Sequence, residues 1–105
     1  MRKITEESIN AFNLSQPFKK QNMEVKIVAT ESGEPCIVQL LLHDNMIAEK
    51  HTNKRGEKLY ITNAGWKSNT TKERLNAIEG VNIYQKNWQW YLNNQPWDGS
   101  LTEIK

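Results

Sequence analysis

The chain has 105 residues, 37% hydrophobic and 25% charged, with a formal net charge of +2 and a mean hydropathy of -0.77; this bounds it to a single compact domain with a modest core. Four Trp, three Tyr and two Phe exclude a disordered chain, which would carry few aromatics. No apolar run approaches the roughly 18 residues a membrane span needs, and "MRKITEESINAF" turns polar where a secretory signal would be apolar, so the cytoplasm is the expected location and no membrane partner is expected.

The first element is a helix with Thr5 as N-cap, Glu6 and Glu7 in the first turn where the helix dipole favours carboxylates, and Ile4 stapled onto Ile9. It ends near Asn13 or Leu14, ahead of Pro17. "MEVKIVAT" follows as a strand, Val25, Ile27 and Ala29 alternating with Lys26, and "ESGE" makes a turn. "CIVQLLLHDNMIAEK" reads as two strands joined at Asp44 and Asn45, residues that tolerate positive φ. Leu40, Leu41 and Leu42 break the alternation, so this strand is covered on both faces and central in the sheet. Cys36 stands alone in that apolar run and reads as a small buried hydrophobe, not as a redox thiol. After the polar loop "TNKRGE", residues Lys58 to Thr62 form a strand with Leu59 and Ile61 on one face.

A second helix follows in "GWKSNTTKERLNAIEG". With Thr70 as N-cap, Glu73 falls at N3 and "TTKE" makes a capping box, while Gly80 closes the helix. Leu75, Ile78 and the Thr71 methyl share its buried face, with Arg74 and Lys72 on the flanks. In "VNIYQKNWQWYLNNQPWDG", two-residue turns at Lys86-Asn87 and Asn93-Asn94 pair Gln85 with Trp88, Ile83 with Trp90, and Trp90 with Trp97. This puts Val81, Ile83, Trp88, Trp90, Leu92 and Trp97 on one apolar face, and Tyr84 and Tyr91 on the other. The expected fold is α+β: antiparallel hairpins with an N-terminal helix, and one short helix before a C-terminal three-stranded meander.

Charge is unevenly placed. From Lys50 to Arg74 seven basic residues (Lys50, Lys54, Arg55, Lys58, Lys67, Lys72, Arg74) face two acids, Glu57 and Glu73, a balance of +5, whereas the remainder carries -3. Two readings of the second helix start stand side by side. Ser, Asn and Thr are ordinary capping residues, and lysines solvate them. Alternatively, the free amides and helix dipole, with Lys67, Lys72 and Arg74 around them, form an anion site, superficial because Glu73 sits close by.

Catalytic chemistry finds no support. His43 and His51 have no neighbouring Cys and no His-Glu-x-x-His or His-x-His spacing, so no metal is expected; no glycine-rich phosphate loop or nucleophile elbow is present, so no cofactor is expected. Asp44 reads as a turn residue, and Glu6 and Glu7 diverge on a helix and make no hydrolytic pair. The chain reads as a non-enzyme.

The stretches "ITNAGWKSNTTKERLNAIEGVNIYQKNWQWYLNNQPWDG", "ITEESINAFN" and "LLLHDNMIAEK" resemble a family of small bacteriophage and prophage proteins of unassigned activity, in which an Asn-Thr-Thr-Lys-Glu-Arg-Leu-Asn helix precedes a Trp-rich hairpin ending in Trp-Asp-Gly. The resemblance implies context alone: a phage-encoded accessory protein in the bacterial cytoplasm, acting by binding. Two partner classes follow. One is nucleic-acid backbone, contacted by Lys54, Arg55, Lys67, Thr70, Thr71, Lys72 and Arg74, with Tyr84 and Tyr91 stacking on bases. The other is a host or anti-phage defence protein, bound through the same aromatic and basic surface. A virion component is a third reading.

Overall fold

The structure, a computed structural model, describes residues 3–29, 36–53, 56–65 and 67–104. The expected turn at residues 31–34 and the basic pair Lys54 and Arg55 lie outside the described residues. In chain order the elements are α1 (Lys3–Asn13), β1 (Phe18–Lys20), β2 (Met23–Ala29), β3 (Cys36–Leu42), β4 (Asn45–Asn53), β5 (Gly56–Ile61), α2 (Asn69–Asn76), β6 (Ile83–Lys86), β7 (Gln89–Leu92), β8 (Gln95–Pro96) and β9 (Thr102–Glu103). The fold is α+β. A six-stranded antiparallel sheet runs β1-β2-β3-β4-β5-β9, and a three-stranded meander runs β6-β7-β8. The short edge strand β1 and the two-residue β9 are additions that no clear alternation in the sequence announces, whereas β8 is the third strand expected of the meander.

β3 lies inside the large sheet between β2 and β4. Its register with β4 shifts between Leu40, paired with Ala48, and Leu41, paired with Met46. Ile47 is thus the extra residue of a bulge, and it is buried in the core. Leu40 and Leu42 face that core while Leu41, on the opposite face, is buried as well, as the triple leucine foretold. The hairpin turn falls at His43 and Asp44, both at positive φ, with Leu42 paired to Asn45. It therefore comes one residue earlier than the sequence suggests.

One core cluster unites the two sheets and both helices: Ile9 and Phe12 of α1, Val25, Val38, Leu40, Ile47 and Ile61 of the large sheet, Leu75 of α2, and Ile83, Trp90, Leu92 and Trp97 of the meander with its last turn. α1 lies against β1, β2 and β3, and α2 against β4 and β6. Lys50 also points into this interior. Its buried ammonium donates to the Phe12 and Asn13 carbonyls at 2.8 and 3.1 Å and stands 5.3 Å from the Phe12 ring centroid. A cation there satisfies orphan carbonyls and complements the negative end of the α1 dipole.

Thr5 is not an N-cap. It lies within α1, fully buried, and its hydroxyl donates to Glu73 Oε1 at 2.7 Å while accepting from Arg74 Nη1. The cap of α2 also differs from expectation, since Ser68, in extended geometry, accepts from the Thr71 amide at 3.1 Å, and its hydroxyl meets that of Thr71 at 2.9 Å. α2 therefore begins two residues early and ends at Asn76, and Thr71, not Glu73, occupies N3. Gly80 keeps positive φ, but in the turn beyond the helix end.

In the meander the second turn, Asn93-Asn94, falls where the sequence places it, with Leu92 opposite Gln95 and the Trp97 amide donating to the Trp90 carbonyl at 2.9 Å. The first turn is displaced by one residue, to Asn87-Trp88, so Ile83 pairs with Leu92, Tyr84 with Tyr91 and Gln85 with Trp90. The two-residue change in register preserves the faces of the strands but moves Trp88 out of the apolar face and onto the turn.

Candidate functional site

The family-like segment from Asn69 to Asn76 is occupied mainly in holding the molecule together. Arg74 is only 1% exposed, beneath α1, where Nη1 donates to Thr5 Oγ1 and, at 2.9 Å, to Glu73 Oε1. Thr71 is buried at N3 with its hydroxyl on that of the Ser68 cap, and Leu75 is buried in the core. Asn76 clamps the first residue of β6: its Oδ1 accepts from the Ile83 amide at 2.6 Å, and its Nδ2 donates to the Ile83 carbonyl at 3.0 Å. Of the sequence-chosen contacts, Arg74 is thus corrected from a surface flank to the interior, and Thr71, whose methyl the helical period already turns inward, is buried whole. Helical periodicity put Arg74 on a flank, but that flank is covered by α1, a neighbour distant in sequence.

Among the described residues, the cations of the +5 segment do not form a continuous patch. Lys50 and Arg74 are interior, Lys58 lies 3.8 Å from Glu103 at the β5–β9 edge, and Lys67 is exposed. Lys67 contributes to holding Asp98 below its ordinary pKa, behind the stronger effect of hydrogen bonds from the Ser100 side chain and amide. Lys72 is half-buried, with its ammonium 5.6 Å from the Trp90 ring centroid, a cation–π distance.

Two separate recesses divide the remaining residues. Thr70 lines a pocket of about 360 Å³ at the start of α2, with Leu42 and Ile47 as apolar lining and His43, Asn45, Asn63 and Ser68 as polar lining. Lys72 and Tyr84 instead line an open groove of about 680 Å³ between α2 and the β6–β7 hairpin, together with Asn76, Ile83, Gln85, Asn87 and Trp88. That lining contains one cation, three side-chain amides, two aromatics and no acid. Tyr91 is not in the lining but stacks on Tyr84, with ring centroids 5.1 Å apart and planes within 11°. The helix start and the aromatics therefore line different recesses, and among the described residues Lys72 is the one chosen cation that lines the aromatic one.

Trp88 is the residue the sequence reading missed, since it was assigned to the apolar face. It is 91% exposed, at φ 70, in the second central position of the turn. Such turns favour Asn followed by Gly, because both central residues need positive φ, and for a bulky side chain that conformation is disfavoured by on the order of 1–2 kcal/mol. Asn87 was the available signal, since Asn is favoured at the first central position. The preference for burying Trp masked it.

The "WDG" segment is a folding device. Gly99 takes φ 89, and a Cβ there would overlap the Asn63 side chain; its carbonyl accepts from the Asn63 amide at 3.0 Å and the Thr62 hydroxyl at 2.7 Å. Trp97 Nε1 donates to the Ser100 carbonyl at 3.1 Å and to Thr102 Oγ1 at 2.9 Å. Among the described residues no cluster of three or more His, Cys, Asp or Glu is arranged to hold a metal, and no helix is long and apolar enough to cross a membrane.

No curated protein and no solved structure matches the chain. The family model described as Kyanoviridae Gp96 protein matches residues 1–103, nearly the whole length, and the chain accordingly belongs to this bacteriophage protein family.

Proposed function

We propose that this phage protein is a non-catalytic accessory factor that contacts nucleic-acid backbone through the groove between α2 and the β6–β7 hairpin. The observation that carries this reading is the groove lining: Lys72 and Tyr84 border one open recess whose other polar walls are amides and which holds no carboxylate. A phosphate is the complementary group for such a recess, and the amides supply neutral hydrogen-bonding partners along a backbone. Lys86, exposed at the end of β6 between the lining residues Gln85 and Asn87 in sequence, supplies a second cation on the hairpin. Thr71 and Arg74 have no direct role in this reading, because they are engaged in the interior.

Fluorescence anisotropy with labelled single- and double-stranded oligonucleotides at low salt tests it. The expected affinity is weak, with dissociation constants of about 1–100 μM, as for sequence-independent contacts. At about -0.7 per phosphate contact, engaging two lysines gives a log–log salt slope of roughly -1.4 on single strands. Lys72→Gln should weaken binding to every sequence and flatten that slope. Absence of binding at about 100 μM protein, the weak end of such contacts, would remove the proposal. A pull-down from bacterial lysate, with and without nuclease, separates the other partner class: a protein retained after nuclease treatment points to a host or defence factor.

A further inference from the structure

We propose that Trp88 is a base-stacking residue, its indole receiving an unpaired base of a single-stranded nucleic acid while Lys72, across the same groove, holds the phosphate. This rests on the reading of the groove as a nucleic-acid site and narrows it to single strands. Three observations converge on it. First, Trp88 contributes almost nothing to the core, since 91% of its surface is exposed. Second, it occupies a positive-φ turn position where glycine would be relaxed, so neither packing nor turn geometry accounts for a tryptophan there. A strained side chain without a structural return is a reasonable mark of a functional one.

The third observation is the company it keeps. Trp88 shares the groove with Lys72, Gln85 and Asn87, one cation and two exposed amides. The core of a protein-binding patch is depleted in charge, whereas this lining sets a lysine and three side-chain amides around the indole. Every base presents a flat π-face, so stacking on an indole tolerates any sequence. In a duplex those faces are covered by neighbouring bases, and a base must be unstacked before it meets an external ring. Single strands offer them freely. Tyr84 and Tyr91 each spend one ring face on the other, and of the two only Tyr84 lines the groove.

The test compares wild-type protein with Trp88→Gly and Trp88→Phe, using a fluorescein-labelled oligo(dT) of about 12 nucleotides, within the span of small single-strand binders, and a duplex of the same length. Wild type is expected to bind the single strand more tightly than the duplex. Trp88→Gly is expected to lose about tenfold or more in single-strand affinity, the size of one lost stacking contact, and Trp88→Phe to recover most of it. The melting temperature of Trp88→Gly should equal or exceed that of wild type, because Asn-Gly suits the turn; this readout separates lost binding from lost folding. Unchanged affinity of Trp88→Gly would overturn the assignment to Trp88 while leaving backbone binding intact, as would equal affinity for duplex and single strand. If wild type bound neither oligonucleotide, the groove reading itself would fail. Capture of a nuclease-resistant protein partner by wild type, but not by Trp88→Gly, would overturn the proposal in favour of a protein-binding hot spot.

Discussion

Asp98 shows how much a single exposed side chain can do for a turn. Its Oδ1 accepts from the Ser100 amide at 2.9 Å, just after Gly99 has turned the chain at positive φ. The Ser100 side chain and amide hold the carboxyl below its ordinary value of 3.8, with a smaller contribution from Lys67. A folded pKa below the unfolded one adds stability that is present above the unfolded pKa and lost as pH falls through the folded pKa. The expected outcome is that Asp98→Asn, whose carbonyl oxygen can still accept the bond, unfolds with a smaller loss of melting temperature between neutral pH and about pH 3, below the usual carboxylate range, than wild type does. Thermal melts of the two proteins across that range check it. Trp88 makes the opposite point: it is exposed and in a strained conformation, so changing it to glycine should raise stability while lowering affinity.

Among the elements, α2 was read with the right residues in the wrong roles. Its buried Thr71 and Leu75 were legible from the 3.6-residue period, and Ile78, expected on the same face, is buried in the turn beyond the helix end. Its boundaries were not, because Ser68 and Thr70 are both competent caps and only the backbone geometry chooses Ser68. That choice releases Glu73 from the capping box for its contacts with Thr5 and Arg74. Asn76 then fastens the helix end to the meander through both polar groups of Ile83. Asn76→Ala leaves a half-buried amide and carbonyl without those bonds and should cost about 2 kcal/mol, two net hydrogen bonds of about 1 kcal/mol each. Urea unfolding measures this directly. In the meander, the second turn was readable because Asn93 and Asn94 both accept positive φ, whereas the first offered one Asn and a choice of frame.

For the whole molecule, buried polar groups decide how the elements sit together. Arg74, Thr5 and Glu73 tie α2 to α1 across nearly seventy residues of sequence, and Lys50 ties β4 to the end of α1. Breaking a buried charge network by removing one member typically costs about 3–5 kcal/mol, and the partial exposure of Glu73 puts Arg74→Met near the lower end. The triple replacement Thr5→Val, Glu73→Gln, Arg74→Met should recover part of that loss, since the Glu73 charge that faces Arg74 is removed together with it. Equilibrium unfolding of the single and triple variants checks the pair of expectations. If the single variant were as stable as wild type, the network would not be what joins the helices.

The sequence by itself determined the α+β class, the end of α1 near Asn13 or Leu14, the central position of the triple-leucine strand, the apolar sides of β5 and α2, and the Asn93-Asn94 turn. Each of these is a local matter: periodicity, branching and turn chemistry act over a few residues, so a short window contains the cause. The tertiary structure alone decided which cations reach solvent. Lys50 and Arg74 look like members of a basic patch in any window of sequence, yet both are drawn inward by carbonyls, a hydroxyl and a carboxylate of other elements. It also decided the fate of Trp88. The pairing of Ile83 with Leu92 and of Tyr84 with Tyr91, together with the Asn76 clamp on Ile83, fixes the hairpin register and leaves the indole at the tip. Burial is a property of the assembled neighbours and not of the residue type, so charge could vanish from the surface here and an aromatic ring emerge on it.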